Sequence, residues 1–566
     1  MKNITKPLNK EKITNALKNL YGDRAVWVYK NIEQLILKYT PKINNVEIPL
    51  SEKDVILITY GDTVQKQDKT HLQTLKQFVD EFCLPEINST HILPFYPYTS
   101  DDGFSVTDYF AVDPNLGTWD DVSSLSNSNN LMFDAVVNHM SKSSEWFKSF
   151  LAEEDGFQDF FTAVDPKEDL SMVVRPRALP LLTPFKNSNG VEKHIWTTFS
   201  EDQVDLNYES PEVFIAVLDV LLFYVSKGAK LIRLDAIAFL WKKIGTTCIH
   251  LPETHIIIKL YKKVINQLSN NVVFITETNV PHKENISYFG NGHDEADLVY
   301  NFTLAPLLVY SIMKGNTKAL TKWAKSLEFP SDKVCFFNFT ASHDGIGMRP
   351  LQGVISDKEI AQLAKRTINH GGQVGYKNNE DGTQSPYELN CNYMDLLSNS
   401  EESDNVRVAK MMLTQSLMLA FPGVPGIYFH SLVGSRNYYE GVEESGIKRR
   451  INREKLLFEN LEIELNTFGS VRNMVFTAYK KLLAIRQNEI AFNPYGLAEY
   501  IQVNEAVFVI KRTFNDEIIY GVYNFSQNSI IIKALENTIY DLIDKKEIKS
   551  ENWHLNPYQF HWYKSM

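Results

Sequence analysis

Eight short, nearly uninterrupted apolar runs, separated by amphipathic segments, govern what this chain can fold into. They are VILITY from Val55, THILP from Thr90, LMFDAVV from Leu131, KLIRLDAI from Lys230, NVVFITE from Asn271, DLVYNF from Asp297, KVCFFNFT from Lys333 and GIYFH from Gly426. Runs of this kind suit strands buried on both faces, as in a parallel sheet covered by helices. Eight of them alternating with helical segments predict an α/β fold, a (β/α)8 TIM barrel rather than an open sheet.

The spacing is uneven. The interval between LMFDAVV and KLIRLDAI is too long for one helix, which predicts a subdomain inserted after strand three, over about 140–207. A polar, Gly-rich stretch over about 345–400 predicts an excursion after strand seven. Before residue 50, NALKNLYGDRAVWVYKNIEQLILKY repeats apolar residues at three- and four-residue spacing, so residues 1–50 read as an N-terminal helical extension. The barrel then occupies 51–488. Residues 489–566 read as a C-terminal antiparallel β domain, because AVFVIKRTF, EIIYGVYNF and SIIIKAL alternate.

Composition narrows the function classes. Of 566 residues 44% are hydrophobic, enough for a large core and too many for a disordered chain. A net charge of −11 argues against general binding to nucleic acid or anionic membrane. The opening MKNITKPLNKEK lacks the apolar core of a signal peptide. The most apolar run, VFIAVLDVLLFYV, is short and interrupted by Asp219, so it predicts a buried helix. Cys83, Cys248, Cys335 and Cys391 stand far apart, without metal-ligand spacing, as expected of reduced thiols in a cytoplasmic protein.

A barrel places its active site at the C-terminal ends of its strands. The polar residues expected there are Asn138-His139, Arg233 and Asp235, Glu277, and His343-Asp344. One such carboxylate is more often a helix cap or an ion-pair partner. Several in the same relative position on different strands suit glycoside chemistry. One carboxylate attacks the anomeric carbon, a protonated one feeds the leaving oxygen, and a third stabilises the positively charged transition state.

These motifs carry a resemblance. GAKLIRLDA at Gly228–Ala236 looks like the fourth-strand motif of the α-amylase superfamily, glycoside hydrolase family 13, and Asn138-His139, Glu277 and His343-Asp344 match its other signatures in order. The resemblance implies Asp235 as nucleophile, Glu277 as general acid/base and Asp344 as transition-state stabiliser, with His139, Arg233 and His343 at the sugar. ILPFYPYTSDDGFSVTDY at Ile92–Tyr109, WTTFSEDQVDLN at Trp196–Asn207 and INRE at Ile451–Glu454 are similar to the sucrose phosphorylase subfamily. That likeness implies sugar contacts from Asp101, Phe104, Phe199 and Arg453. Val174-Arg175-Pro176-Arg177 offers a stiff cationic loop, and Arg177 matches a phosphate-contacting arginine.

Departures bear on the acceptor. Val174 replaces a tyrosine, and Pro386 and Glu388 replace the Asp and Gln that hold fructose in sucrose phosphorylases. GTTCIHLPETH at Gly245–His255 and PRALPLLTPF at Pro176–Phe185 look closer to glucosylglycerate phosphorylases. The resemblance therefore implies phosphorolysis of a glucosylglycerate. Sucrose 6′-phosphate, sucrose or glucosylglycerol phosphorolysis, a retaining α-glucosidase or transglucosidase, and a non-catalytic sugar binder are the rivals. Arg175, His255, Arg349 and Lys377 are candidates for the acceptor carboxylate, while Arg175, Arg177 and Glu388 make up the expected phosphate and acceptor set. No cofactor and no metal are expected. The expected partners are a small glucoside and inorganic phosphate, with neither nucleic acid nor membrane, and a homodimer is compatible with the chain.

Overall fold

The computed structural model describes residues 9–43, 49–177, 179–270, 272–378 and 382–566. Residues 1–8 and 44–48 of the expected N-terminal extension lie outside these. So do Ala178 beside Arg177, Asn271 at the head of one expected strand, and 379–381 in the excursion.

Eight strands form a closed parallel barrel, one from each apolar run: β1 (Ile56–Thr59), β2 (Ser89–Ile92), β3 (Asn130–Ala135), β4 (Ala229–Leu234), β5 (Val273–Thr276), β6 (Leu298–Tyr300), β7 (Cys335–Phe339) and β8 (Val424–Tyr428). Their order around the barrel is their order in the chain. That is the outcome of repeated right-handed βαβ crossovers.

The chain divides into two units. The first is Met1–Pro49, His91–Thr278 and Ile286–Val299. In it β3 pairs with β4, setting Asp134 opposite Arg233, and β4 pairs with β5, setting Arg233 opposite Ile275. The helices α1 (Lys10–Tyr21) and α2 (Ala25–Tyr39) lie within the expected N-terminal extension. Asn9 caps α1, and Ile13, Leu17, Val28 and Ile32 form the buried stripe across the pair. The apolar run around Asp219 forms α3 (Pro211–Ser226), begun by proline and buried over most of its surface. Asp219 is answered by α2: Lys38 Nζ lies 2.8 Å from its carboxylate and the Tyr39 hydroxyl donates to it at 2.6 Å. A proline also opens α4 (Pro252–Leu268).

The segment between β3 and α3 holds a Ser144-capped helix (Glu145–Leu151) and an antiparallel hairpin of Leu182–Lys186 with Glu192–Trp196. His139–Ser141 pairs antiparallel with Gln203–Asp205. Val173, Leu181, Trp196 and Cys248 pack as a small core, with Val164, Leu170 and Leu182 against it.

The second unit is Leu50–Thr90, Asn279–Asn285 and Tyr300–Met566. Here β1 pairs with β8 and β8 with β7. The stretch after β7 is well structured. A helix, Asp357–Asn369, opens with a Ser356–Glu359 capping box, and Gln384–Asn390 is flanked antiparallel by Gln373–Asn378 and Ile346–Gly347. Beyond residue 489 stands a six-stranded sheet whose neighbouring strands run antiparallel, with a further strand pair, around Val507, Val509, Val522, Ile539 and Trp553. Among the described residues no helix is long and apolar enough to cross a membrane.

Candidate active site

In the first unit the site begins where β4 and β5 end. Both strands stop one residue short of their carboxylates, but the ladder continues: Asp235 N–H donates to the Ala135 carbonyl and Glu277 N–H to that of Leu234, each at 3.2 Å. Asp235 and Glu277 are therefore aimed by sheet hydrogen bonds rather than by loops. Arg233, 1% exposed, serves both. Its Nη1 lies 2.6 Å from Asp235 Oδ1 and its Nη2 3.8 Å from Glu277 Oε2. The Ala236 N–H also donates to Glu277 Oε2, at 3.2 Å. Ala236 sits in the left-handed region, φ +48°, which costs an L-residue on the order of 1–2 kcal/mol and marks a turn held by its surroundings.

Behind Arg233 stands a buried relay. Arg233 Nη1 also pairs with Asp134 Oδ1, and Asp134 Oδ2 lies 2.6 Å from His91 Nε2. Burial alone would raise the Asp134 carboxyl, yet Arg233 and His91 hold it below the ordinary carboxylate range. Burial pushes the His91 imidazole down, against the pull of Asp134. The pair is thus a neutral imidazole donating to a carboxylate, and the charge on Asp134 is matched by Arg233.

The expected sugar contacts of this unit gather around one carbonyl. The Phe104 oxygen accepts from Gln203 Nε2 and lies 3.0 Å from His139 Nε2, while the Phe104 ring faces the Arg233 guanidinium at 5.6 Å. Burial keeps the His139 imidazole down and neutral. Its ring lies 5.2 Å from that of Phe199, and Phe199 in turn faces the Arg177 guanidinium at 5.6 Å. Arg177 Nη2 is 3.2 Å from Asp101 Oδ2, which Gln203 also reaches at 3.3 Å. The loop bearing Asp101 is anchored by Asp202. Burial would raise this carboxyl, but the hydroxyls of Ser100, Thr99, Ser105 and Ser141 keep it low. Asp101, Phe104, His139, Phe199, Arg177 and Arg233 thus form one continuous cluster. Arg175 does not join it: exposed, it donates to the Leu179 carbonyl of its own loop. His255 is engaged by Glu295 at 2.7 Å and stacked on Tyr288.

The second unit supplies a cluster of its own. His343 Nε2 lies 3.3 Å from Asp344 Oδ2, and the His343 ring packs edge-on against Tyr60. Arg453, 3% exposed, donates through Nε to the His343 carbonyl at 2.8 Å and covers the Tyr60 ring. Glu388 stands on the middle strand of the excursion sheet and meets Arg449, which also reaches Asp344. Arg349 and Lys377 are half-buried in the same unit.

Sequence reasoning missed Asp134, Gln203, Lys242 and Arg449. Asp134 was visible as a lone charge inside LMFDAVV, and Arg449 as part of the basic run four residues before Arg453. Lys242 gave no such signal. Its Nζ is bound by Asn138 Oδ1 at 3.0 Å and Asp205 Oδ2 at 2.8 Å. Elsewhere, the ligand atoms of Asp541, Asp544 and His561 lie within 4.8 Å of one another. Asp541 there already accepts from the Ile543 and Asp544 N–H groups, an arrangement that closes a turn.

A parallel (β/α)8 barrel with paired carboxylates at its strand ends places the chain in the class of α-amylase-type barrel enzymes, and the alpha-amylase catalytic-domain model matches residues 85–345. The chain is 45% identical over 564 residues to the glucosylglycerate phosphorylase of Escherichia coli, covering 98% of this chain and 100% of that one. It is 43% identical to the glucosylglycerate phosphorylase of Allomeiothermus silvanus, covering 99% and 100%. The sucrose 6F-phosphate phosphorylase structure from Thermoanaerobacter thermosaccharolyticum shares the fold, with a TM-score of 0.74 and 23% identity over 89% of this chain and 99% of that one. The chain belongs to the glucosylglycerate phosphorylase family.

Proposed function

We propose that this enzyme is a retaining phosphorylase that converts 2-O-α-D-glucosylglycerate and phosphate into α-D-glucose 1-phosphate and D-glycerate. The observation that carries the reading is the shared Arg233, which binds Asp235 closely and Glu277 more loosely, so that the two carboxylates are held unequally. Asp235 attacks the anomeric carbon while the bond to the glycerate oxygen breaks, and Glu277 gives its proton to that oxygen. A β-glucosyl ester on Asp235 results. Phosphate then passes a proton to Glu277, its oxygen attacks the anomeric carbon, and the Asp235 carboxylate leaves. Two inversions give the α product.

Asp344 takes the role of stabilising the positively charged transition state. Asp101, Phe104, His139, Phe199, His343 and Arg453 hold the glucosyl unit. Arg177 orients the incoming phosphate, with Arg175 on the same loop, and Glu388 faces the acceptor. Support for Arg177 is its place beside Phe199 and Asp101. Four free, buried thiols suit work in a reducing cytoplasm.

The test is phosphate release from α-glucose 1-phosphate with D-glycerate, glycerol, fructose, fructose 6-phosphate or water. D-Glycerate should support the fastest release. Faster release with any other acceptor would replace glycerate in this reading.

A further inference from the structure

Arg449 lies in a short 3-10 turn, Lys448–Asn452, which Lys448 ties to the excursion sheet by donating to the Val374 carbonyl at 2.9 Å. The fork of Arg449 grips Glu388 twice, Nη2 to Oε1 at 2.7 Å and Nε to Oε2 at 3.3 Å. Its third nitrogen, Nη1, lies 2.6 Å from Asp344 Oδ1. The Glu388 stem passes so close to Gly345 that a Cβ there would meet Glu388 Cγ at 2.5 Å. The residue following Asp344 must therefore be glycine for Glu388 to reach this place. Glu388 is 8% exposed, and both of its carboxylate oxygens are held by Arg449.

A planar guanidinium that binds one carboxylate bidentately and a second through its remaining nitrogen couples their orientations. It also lowers the local charge from two negatives to one. An anionic acceptor approaching Asp344 and Glu388 without that cation would be repelled by both. We propose that Arg449 is a positioning residue that sets Asp344 and Glu388 as one assembly and screens an anionic acceptor from their combined charge. The acceptor half of this inference rests on the function proposed above; the coupling of Asp344 to Glu388 does not.

The experiment compares wild type with R449M, R449K, E388Q and the R449M/E388Q double variant, after confirming by circular dichroism and thermal melting that each is folded. The first readout is fluoride release from α-glucosyl fluoride, which needs no acceptor of the enzyme's choosing. R449M should lower kcat by about 10-fold or more with KM changed less, R449K should recover part of the loss, and the effects of R449M and E388Q should not add. The second readout is the ratio of kcat/KM for D-glycerate to that for glycerol, with α-glucose 1-phosphate as donor. R449M should lower this ratio by about 10-fold or more, and adding E388Q should restore part of it. Fluoride release within two-fold of wild type in folded R449M overturns the positioning role. An unchanged acceptor ratio overturns the screening role. A wild-type enzyme indifferent to glycerate would instead overturn the function proposed above, and the fluoride readout would still decide the role of Arg449.

Discussion

The Nη1 atom of Arg233 lies 2.6 Å from Asp235 Oδ1, and that same nitrogen also pairs with Asp134. The guanidinium is thus tethered to Asp134 as well as to Asp235. Replacing Asp235 by Ala leaves Arg233 its partner Asp134, so the variant should fold. Turnover of any α-glucoside should drop by at least about 10³-fold, measured as fluoride release from α-glucosyl fluoride. Turnover near wild type would remove Asp235 from the nucleophile role.

Glu277→Gln keeps the hydrogen bond from Ala236 but cannot donate or take up the transferred proton. With α-glucosyl fluoride, whose leaving group needs little acid help, the variant should accumulate a glucosyl ester on Asp235. Intact-mass spectrometry reads the added hexose. Fluoride release with unmodified protein throughout would contradict the assignment.

Arg177→Ala should reduce phosphorolysis by about 10-fold or more while leaving hydrolysis of α-glucosyl fluoride less affected. The measurement is the ratio of glucose 1-phosphate to glucose formed at fixed phosphate. Equal loss of both products would assign Arg177 to the sugar rather than to the anion.

Lys242 is 8% exposed, and its removal leaves Asp205 buried with its charge unmatched. Lys242→Met should destabilise the fold by about 3–5 kcal/mol. The double variant with Asp205→Leu should regain part of this, read from thermal unfolding midpoints. A single variant as stable as wild type would mean that Lys242 contributes nothing net.

His430 is buried, and burial together with Arg472 and Lys455 pushes its imidazole down to about 3. The folded pKa is below the unfolded value of about 6.5, so between those values the unfolded chain binds the extra proton. The contribution of His430 is fully present above about pH 6.5 and is lost as pH falls toward 3, at up to about 1.4 kcal/mol per pH unit. His430→Asn should flatten the decline of unfolding midpoint between about pH 6 and pH 4. A curve parallel to wild type would show that other groups set the acid limit.

The barrel was legible because β1 to β8 are buried on both faces and so read as unbroken apolar runs. Strand ends were legible to within a residue or a few: Asp235 and Glu277 each fall one position beyond their strand, still carried by the ladder. The motifs name Asp101 and Phe199 for the sugar and Arg177 separately for phosphate; the structure brings the three side by side. What escaped was pairing between residues distant in sequence. Nothing near Lys242 announces Asp205, and nothing around Glu388 announces Arg449, because such ion pairs are chosen by tertiary packing and leave no periodic trace. The excursion shows no apolar run because the strand Gln384–Asn390 keeps its first four residues exposed or half-buried and buries only its last three.

The answering of Asp219 by Lys38 and Tyr39 has a practical corollary. Anyone trimming the enzyme to a minimal barrel would be tempted to delete the first forty residues, which sit outside every signature motif. Doing so would strip the cover from the greasiest rod in the chain and strand an acid in the middle of it. Shortened versions should come out of expression as aggregates, and a productive truncation would need a redesigned outer surface on that rod before anything is removed.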